Sequence, residues 1–126
     1  MSDPTLEANK QLVLNMWYEV INGRDYAKAE RYFVEDYIQH SPSAGQGRAA
    51  LIEFLKWELG DTGPLPEGYP RTQFELVIAE GDLVQLMFQR HIPDPKHPEK
   101  IIPVWWFDTY RVKDGKIVEH WDSALE

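Results

Sequence analysis

Two acids and a histidine stand in an aromatic stretch near the end of the chain, Val104–Asp122, VWWFDTYRVKDGKIVEHWD. Trp105, Trp106 and Phe107 precede Asp108, and the stretch closes on His120-Trp121-Asp122. A carboxylate among apolar side chains is costly to bury. That cost raises its pKa toward the range where a carboxyl works as general acid or base near neutral pH. Two acids sharing one apolar site can divide the work, one keeping its proton as donor and the other abstracting one. Proton abstraction beside a carbonyl is chemistry such a pair could do. Asp122 is the leading candidate base and Asp108 its partner. His120, with an ordinary pKa of ~6.5, could orient an acid or relay a proton. Plainer roles stand beside these: Asp122 capping the sheet end in solvent, Asp108 accepting structural hydrogen bonds, His120 half-exposed at an interface.

The turn between the two strands decides whether these groups meet. Asp114-Gly115 is a strong hairpin signal, and a slip of one residue sends every side chain to the other face. A two-residue loop pairs Lys113 with Lys116 and Asp108 with Trp121, which puts Asp108 and Asp122 on opposite faces and breaks the site apart. A three-residue loop with Gly115 as a left-handed bulge pairs Val112 with Lys116, Asp108 with His120 and Trp106 with Asp122. The second register sorts the residues better and is the one expected. It gathers Trp106, Asp108, Tyr110, Val118, His120 and Asp122 on one face, with Trp106 and Tyr110 as pocket walls. Trp105, Phe107, Thr109, Arg111, Ile117, Glu119 and Trp121 fall on the other, where Arg111 and Glu119 can pair diagonally. An aromatic face with one paired charge suits a subunit interface, which makes Trp105, Phe107 and Trp121 the expected contact of a homodimer.

Upstream, Thr5–Asn22 predicts an amphipathic helix with Val13, Met16, Trp17, Val20 and Ile21 on one face and Gly23 closing it. Asp25 is placed to cap a short second helix through Tyr32. Phe33–His40 continues it irregularly or runs extended, before the Ser41–Gly45 break. A third helix runs from Gly47 or Arg48 to Leu59. Gly60–Gly68 is a Gly/Pro-rich loop suited to a lid or a connector. The period then turns to alternation: Phe74, Leu76 and Ile78 share one strand face. Val84, Leu86 and Phe88 alternate in the next strand with Gln85, Met87, Gln89 and His91 opposite. Helices followed by four long antiparallel strands is an α+β pattern within one domain, residues 1–126. Trp17, Tyr37 and His91 are further candidates for the pocket lining, Trp17 and Tyr37 being equally at home in a core. His40 could reach the pocket mouth from the helical side or cap at the surface, and His97 belongs to a Pro-rich loop in solvent.

Several function classes are disfavoured by composition. A formal charge of −8 with no basic run argues against a nucleic-acid surface. With no cysteine there is no disulfide, thiolate metal site or thiol nucleophile. No HExxH or close His-x-His grouping implies a metal, no G-x-S-x-G a serine nucleophile, and no Gly-rich loop a phosphate cofactor. Neither a leader nor a membrane-length apolar run is visible, so the expectation is a soluble cytoplasmic protein without cofactor or membrane partner.

The tyrosine-rich segment ending in YIQH before SPSAGQGR, and above all FDTYRVKDGKIVEHWD, resemble the SnoaL-like polyketide cyclases of the nuclear-transport-factor-2-like superfamily. The resemblance spans nearly the whole chain. It implies a cone-shaped α+β fold, with three N-terminal helices packed in a strongly curved antiparallel sheet, a deep pocket between them, and dimers through the outer sheet face. In such cyclases a strand acid near the C-terminus acts as general acid/base in an aldol closure without metal or cofactor, and by position that acid corresponds to Asp122. Those cyclases carry a His where Asp108 stands. Limonene-epoxide-hydrolase relatives carry an Arg where Trp106 stands. Together the residues and the resemblance imply a small acid/base enzyme acting on an apolar, carbonyl-bearing molecule by cyclisation, isomerisation or dehydration. The competing expectation is a noncatalytic ligand-binding or dimeric interaction module of the same fold.

Overall fold

Alternation in the second half of the chain becomes a curled open sheet in the computed structural model, which describes residues 4–42, 44–63 and 72–123. The strands are β1 (Phe33–Gln39), β2 (Phe74–Glu80), β3 (Leu83–Pro93), β4 (Ile101–Lys113) and β5 (Lys116–Asp122), in the order β1-β5-β4-β3-β2. All neighbours run antiparallel except β1 and β5, which are parallel. The segment Phe33–His40, expected as irregular helix or a short extended piece, is therefore a fifth strand from Phe33 to Gln39. It places Gln39 beside His120.

Three helical segments cover the inner face. Helix α1 (Pro4–Met16) continues as a π-helical stretch, Trp17–Asn22, whose wider turn buries Trp17, Val20 and Asn22. Gly23 closes it with right-handed torsions (φ −81°, ψ −12°). Glycine is required there by proximity, since a Cβ would sit 2.7 Å from the Glu19 carbonyl oxygen. The left-handed residue is Arg24, at φ 49°. Asp25 precedes the 3-10 turn Tyr26–Lys28 that leads into α2 (Ala29–Tyr32), but its side chain makes no capping bond. Its carboxylate lies 3.4 Å from Lys28 Nζ instead. Helix α3 (Gly47–Leu59) packs over β1. Of the Gly60–Gly68 loop, the part from residue 64 onward lies outside the described residues, as does Ser43 in the break before α3. No described helix is long and apolar enough to cross a membrane.

The core lies between helices and sheet, formed by Val13, Met16, Val20, Leu51, Leu55, Val84, Leu86, Phe88, Val112 and Ile117 with the aromatics Trp17, Tyr26, Phe33 and Tyr37. Val84, Leu86 and Phe88 point inward as their alternation predicts. In β2 a register shift between Phe74 and Leu76 changes the expected grouping. Phe74 turns inward with Val77 and Ala79, while Leu76 and Ile78 face out. The register runs Leu76–Met87–Phe107 across β2, β3 and β4, so these residues make a continuous apolar row on the outer face.

The hairpin between β4 and β5 corrects the expected turn. Lys113 pairs with Lys116 and Val112 with Ile117, a two-residue loop whose central residues Asp114 (φ 52°) and Gly115 (φ 75°) are both left-handed. That is the type I′ geometry that Asp-Gly favours. One rung later the register shifts: Arg111 pairs with Glu119, Tyr110 with His120 and Asp108 with Asp122. Val118 is the extra residue of a bulge. Two successive inversions, one from the shorter loop and one from the bulge, cancel. Asp108, Tyr110, His120 and Asp122 therefore share the inner face. Within the bulge the residues exchange places, so that Ile117 enters the core and Val118 is half-exposed.

Candidate active site

Asp108 and His120 are both buried on the inner face. His120 Nε2 lies 2.6 Å from Asp108 Oδ1, and its Nδ1 lies 2.8 Å from Gln39 Oε1. The direction of these bonds follows from a third. The Ser41 backbone N–H, which can only donate, meets the Gln39 side chain at 2.9 Å, so the atom it meets is the oxygen. That oxygen can only accept, so His120 Nδ1 must carry a hydrogen. Nε2 is left to share one proton with Asp108, either as imidazole facing carboxylic acid or as imidazolium facing carboxylate. Both forms sum to zero charge, and a neutral pair tolerates burial where a lone carboxylate would not.

Gln39 is itself held at three further points. Its amide nitrogen donates to the Tyr37 hydroxyl. Its backbone N–H donates to Gln46 Oε1 at 3.0 Å, and its carbonyl accepts from Gln46 Nε2 at 2.6 Å. The His120 ring packs on Tyr110, centroids 4.7 Å apart. The Tyr110 hydroxyl accepts from Trp17 Nε1 at 3.0 Å, so the π-helical stretch of the N-terminal helix buttresses the site from behind. Burial drives the Tyr37 and Tyr110 hydroxyls well above the usual phenol range, which keeps both neutral. The same effect raises the Asp108 carboxyl. The hydrogen bond and charge of His120 pull it back, Asp122 pushes it up and Arg90 draws it down.

Asp122 lies directly opposite Asp108 on the neighbouring strand and is half-exposed. Asp108, His120 and Asp122 present donor atoms all within 4.8 Å of one another. Three such donors also suit a divalent cation, a use that the sequence, with no HExxH or close His-x-His grouping, does not suggest. His120 Nε2 and Asp108 Oδ1 would have to give up their mutual bond to hold it.

Three further residues belong to this neighbourhood and were not singled out from sequence. Besides Gln39 they are Arg90 and Glu58. Arg90 continues the inward alternation of Val84, Leu86 and Phe88, and its guanidinium lies 4.5 Å over the Trp106 ring. It reaches Glu58, on α3, at 3.3 Å. Burial raises the Glu58 carboxyl, against Arg90, and the charges of Asp108 and Asp122 raise it further. Alternation could have flagged Arg90; nothing in the sequence ties Glu58 to β3.

Two candidates lie elsewhere. His40 is exposed on the outer side, its ring stacked on Trp121 at 4.8 Å and its Nε2 2.7 Å from Glu119 Oε2. One residue of strand parity separates it from Gln39, which takes the inward position. His91 is exposed opposite Pro103, on the outward face with Gln85 and Gln89. Its neighbour Arg90 points in. The Arg111–Glu119 pair forms at 3.0 Å directly across the strands rather than diagonally, and Arg111 also holds Asp82 at 2.9 Å. A cleft of about 570 Å³ lies away from this site, beside Tyr26, Glu30, Glu35 and Arg48.

The model of the SnoaL-like domain matches residues 14–120. The chain belongs to the SnoaL-like family. Its fold is the nuclear-transport-factor-2-like cone, as the solved structures it resembles make plain. One is a candidate SnoaL-like polyketide cyclase from Jannaschia sp. CCS1, 21% identical, with a TM-score of 0.71 over 98% of this chain and 89% of that one. Another is wild-type IdmH, a candidate polyketide cyclase from Streptomyces antibioticus, 19% identical, TM-score 0.67, covering 91% and 90%. A third is an LEH-like epoxide hydrolase from M. tuberculosis, 16% identical, TM-score 0.66, covering 94% and 84%. No curated protein sequence matches this SnoaL-like chain.

Proposed function

We propose that this SnoaL-like domain is an acid/base enzyme that moves protons on an apolar, carbonyl-bearing small molecule. In this reading Asp122 takes the proton beside the carbonyl, and the Asp108–His120 pair supplies one to the carbonyl oxygen. The observation that carries the reading is the buried pair sharing one proton with a second carboxylate opposite it. Burial keeps a proton on that pair at a pH where an exposed carboxyl would have lost it. Trp106 and Tyr110 supply the apolar surroundings, and aldol-type cyclisation, isomerisation and dehydration all begin with such a step. The candidate cyclases among the structural neighbours are compatible with it.

The reaction can be tested without the natural substrate. Deuterium exchange at the α-carbon of aryl ketones and β-diketones, followed by NMR in D2O, reads proton abstraction directly. The protein should accelerate exchange in at least one member of the panel, and Asp122→Asn should remove about 10²–10⁴-fold of that rate. An Asp122→Asn protein that folds and exchanges as fast as the parent would exclude Asp122 as base. Ligands that bind without exchange would favour a noncatalytic binding module.

We assign the outer sheet face to self-association. Trp105 and Phe107 are 51% and 40% exposed there, and Leu76 and Ile78 46% each. This row of apolar side chains is suited to a second copy of the same sheet. Trp121, also named for this surface, is packed against both His40 and Arg111.

A further inference from the structure

We infer that Arg90, laid flat on Trp106, is a subsite for a planar oxyanion, a carboxylate being the simplest case, and that Glu58 occupies it as a placeholder. The inference rests on the reading of the inner face as a substrate site and adds to it the class of molecule admitted. A guanidinium presents its N–H groups in one plane as a fork that matches two oxygens of a delocalised anion. Stacking on Trp106 at 4.5 Å fixes that plane. Five N–H donors are available to Arg90, and its one hydrogen bond among the described residues is the contact from Nη2 to Glu58 Oε1. At 3.3 Å that contact is longer than the ~2.7–2.9 Å of a well-made charge-assisted bond.

Glu58 is a poor resident. Its carboxylate is disfavoured by burial and by the charges of Asp108 and Asp122, and only Arg90 counters them. Both partners keep about a third of their side-chain surface open to solvent, 37% and 35%, so the pair can part without exposing core. Arg90 lies over Trp106, the inward residue of β4 next to Asp108, and acts electrostatically on Asp108, so an anion held by Arg90 neighbours the proton-transferring groups. Because Asp108 and His120 together carry no net charge, that pair does not repel the anion once Glu58 swings out or takes a proton. A flat conjugated frame bearing the oxyanion would take the stacking surface of Trp106 that the guanidinium does not cover.

The test uses 2-naphthoate and its neutral methyl ester as paired probes, with binding read by calorimetry and by the Trp106 indole N–H resonance. The parent protein should bind naphthoate in preference to the ester. Arg90→Gln should weaken naphthoate at least 10-fold and leave the ester within about 2-fold, while Glu58→Gln should tighten naphthoate several-fold by removing the competitor. Equal naphthoate affinity in parent and Arg90→Gln, no binding to the parent, or weaker binding in Glu58→Gln would each overturn the inference. Should Arg90→Gln fail to fold, the Glu58→Gln result decides by itself. Naphthoate captured through Arg90 by a protein that exchanges no α-protons would sink the proposed reaction and keep the subsite. Exchange without Arg90-dependent binding would do the reverse.

Discussion

Replacing Gln39 by Leu tests the hydrogen-bond logic on which the site depends. The Gln39 oxygen accepts from two buried donors, Ser41 N–H at 2.9 Å and His120 Nδ1 at 2.8 Å. Leucine has similar bulk and accepts from neither. The Ser41 amide is left without an acceptor at a buried position, which costs about 1–3 kcal/mol. His120 has an escape that releases one proton to solvent: the ring then carries its single hydrogen on Nε2 and bonds to Asp108 as carboxylate, which leaves a net negative charge on the pair and loses on the order of 1 kcal/mol or more there. The sum, about 2–4 kcal/mol, lowers Tm by roughly 6–20 °C in a domain of this size. The diagnostic change is in the ring rather than in the melt. In the parent, ¹⁵N–¹H correlation spectra should show His120 Nδ1 protonated whatever the state of Nε2. In Gln39→Leu the neutral ring should carry its hydrogen on Nε2. Gln39→Glu keeps an oxygen acceptor and should keep the parent tautomer. A parent ring with bare Nδ1, or a tautomer unmoved in Gln39→Leu, would refute the assignment of donors along Ser41, Gln39, His120 and Asp108.

Asp108→Asn should be at least as stable as the parent at pH 8 in urea titrations, because the amide can donate to His120 Nε2 without a charge to bury. The sign follows from the raised carboxyl of Asp108: the folded state holds that proton more tightly than the unfolded one, so parent stability falls as pH rises from the unfolded toward the folded pKa. The advantage of Asn therefore shrinks as pH falls toward the ordinary carboxyl range, and a gap that widens on acidification would contradict it. Deleting Val118 closes the bulge without moving the pairs beyond it, Arg111–Glu119, Tyr110–His120 and Asp108–Asp122, so the Asp108–His120 resonances should survive the deletion. Inward placement of His120 and Asp122 would be refuted by a folded Val118-deleted protein in which those resonances vanish. Trp105→Glu should convert a dimer to a monomer by light scattering with the Asp108–His120 resonances unchanged; a parent that is already monomeric would remove the outer face as an interface.

The inner and outer rows of β3, the hairpin at Asp114-Gly115 and the α+β order of elements were legible in the residues themselves, because period-two alternation and left-handed turn chemistry are local properties. Asp108, His120 and Asp122 could be proposed together on the same ground, since strand parity carries over a hairpin. Their actual pairing could not. A bulge at Val118 depends on which of Ile117 and Val118 finds room in the core, and that is set by Val112 across the strand and by the helices beneath. The expected three-residue loop and the observed two-residue loop with a bulge differ by two in register, so the faces agree although the pairs do not. Gln39 was hidden behind His40 for a related reason. Whether the segment ending in YIQH is a strand, and which of its residues points inward, is decided by parallel pairing with a β5 some eighty residues away in sequence. The partnership of Glu58 with Arg90 is likewise a matter of where α3 ends over the sheet. Residue types declared that proton chemistry was possible; only the packing of β1 and α3 against the hairpin decided which groups share the proton and which charges stand beside them.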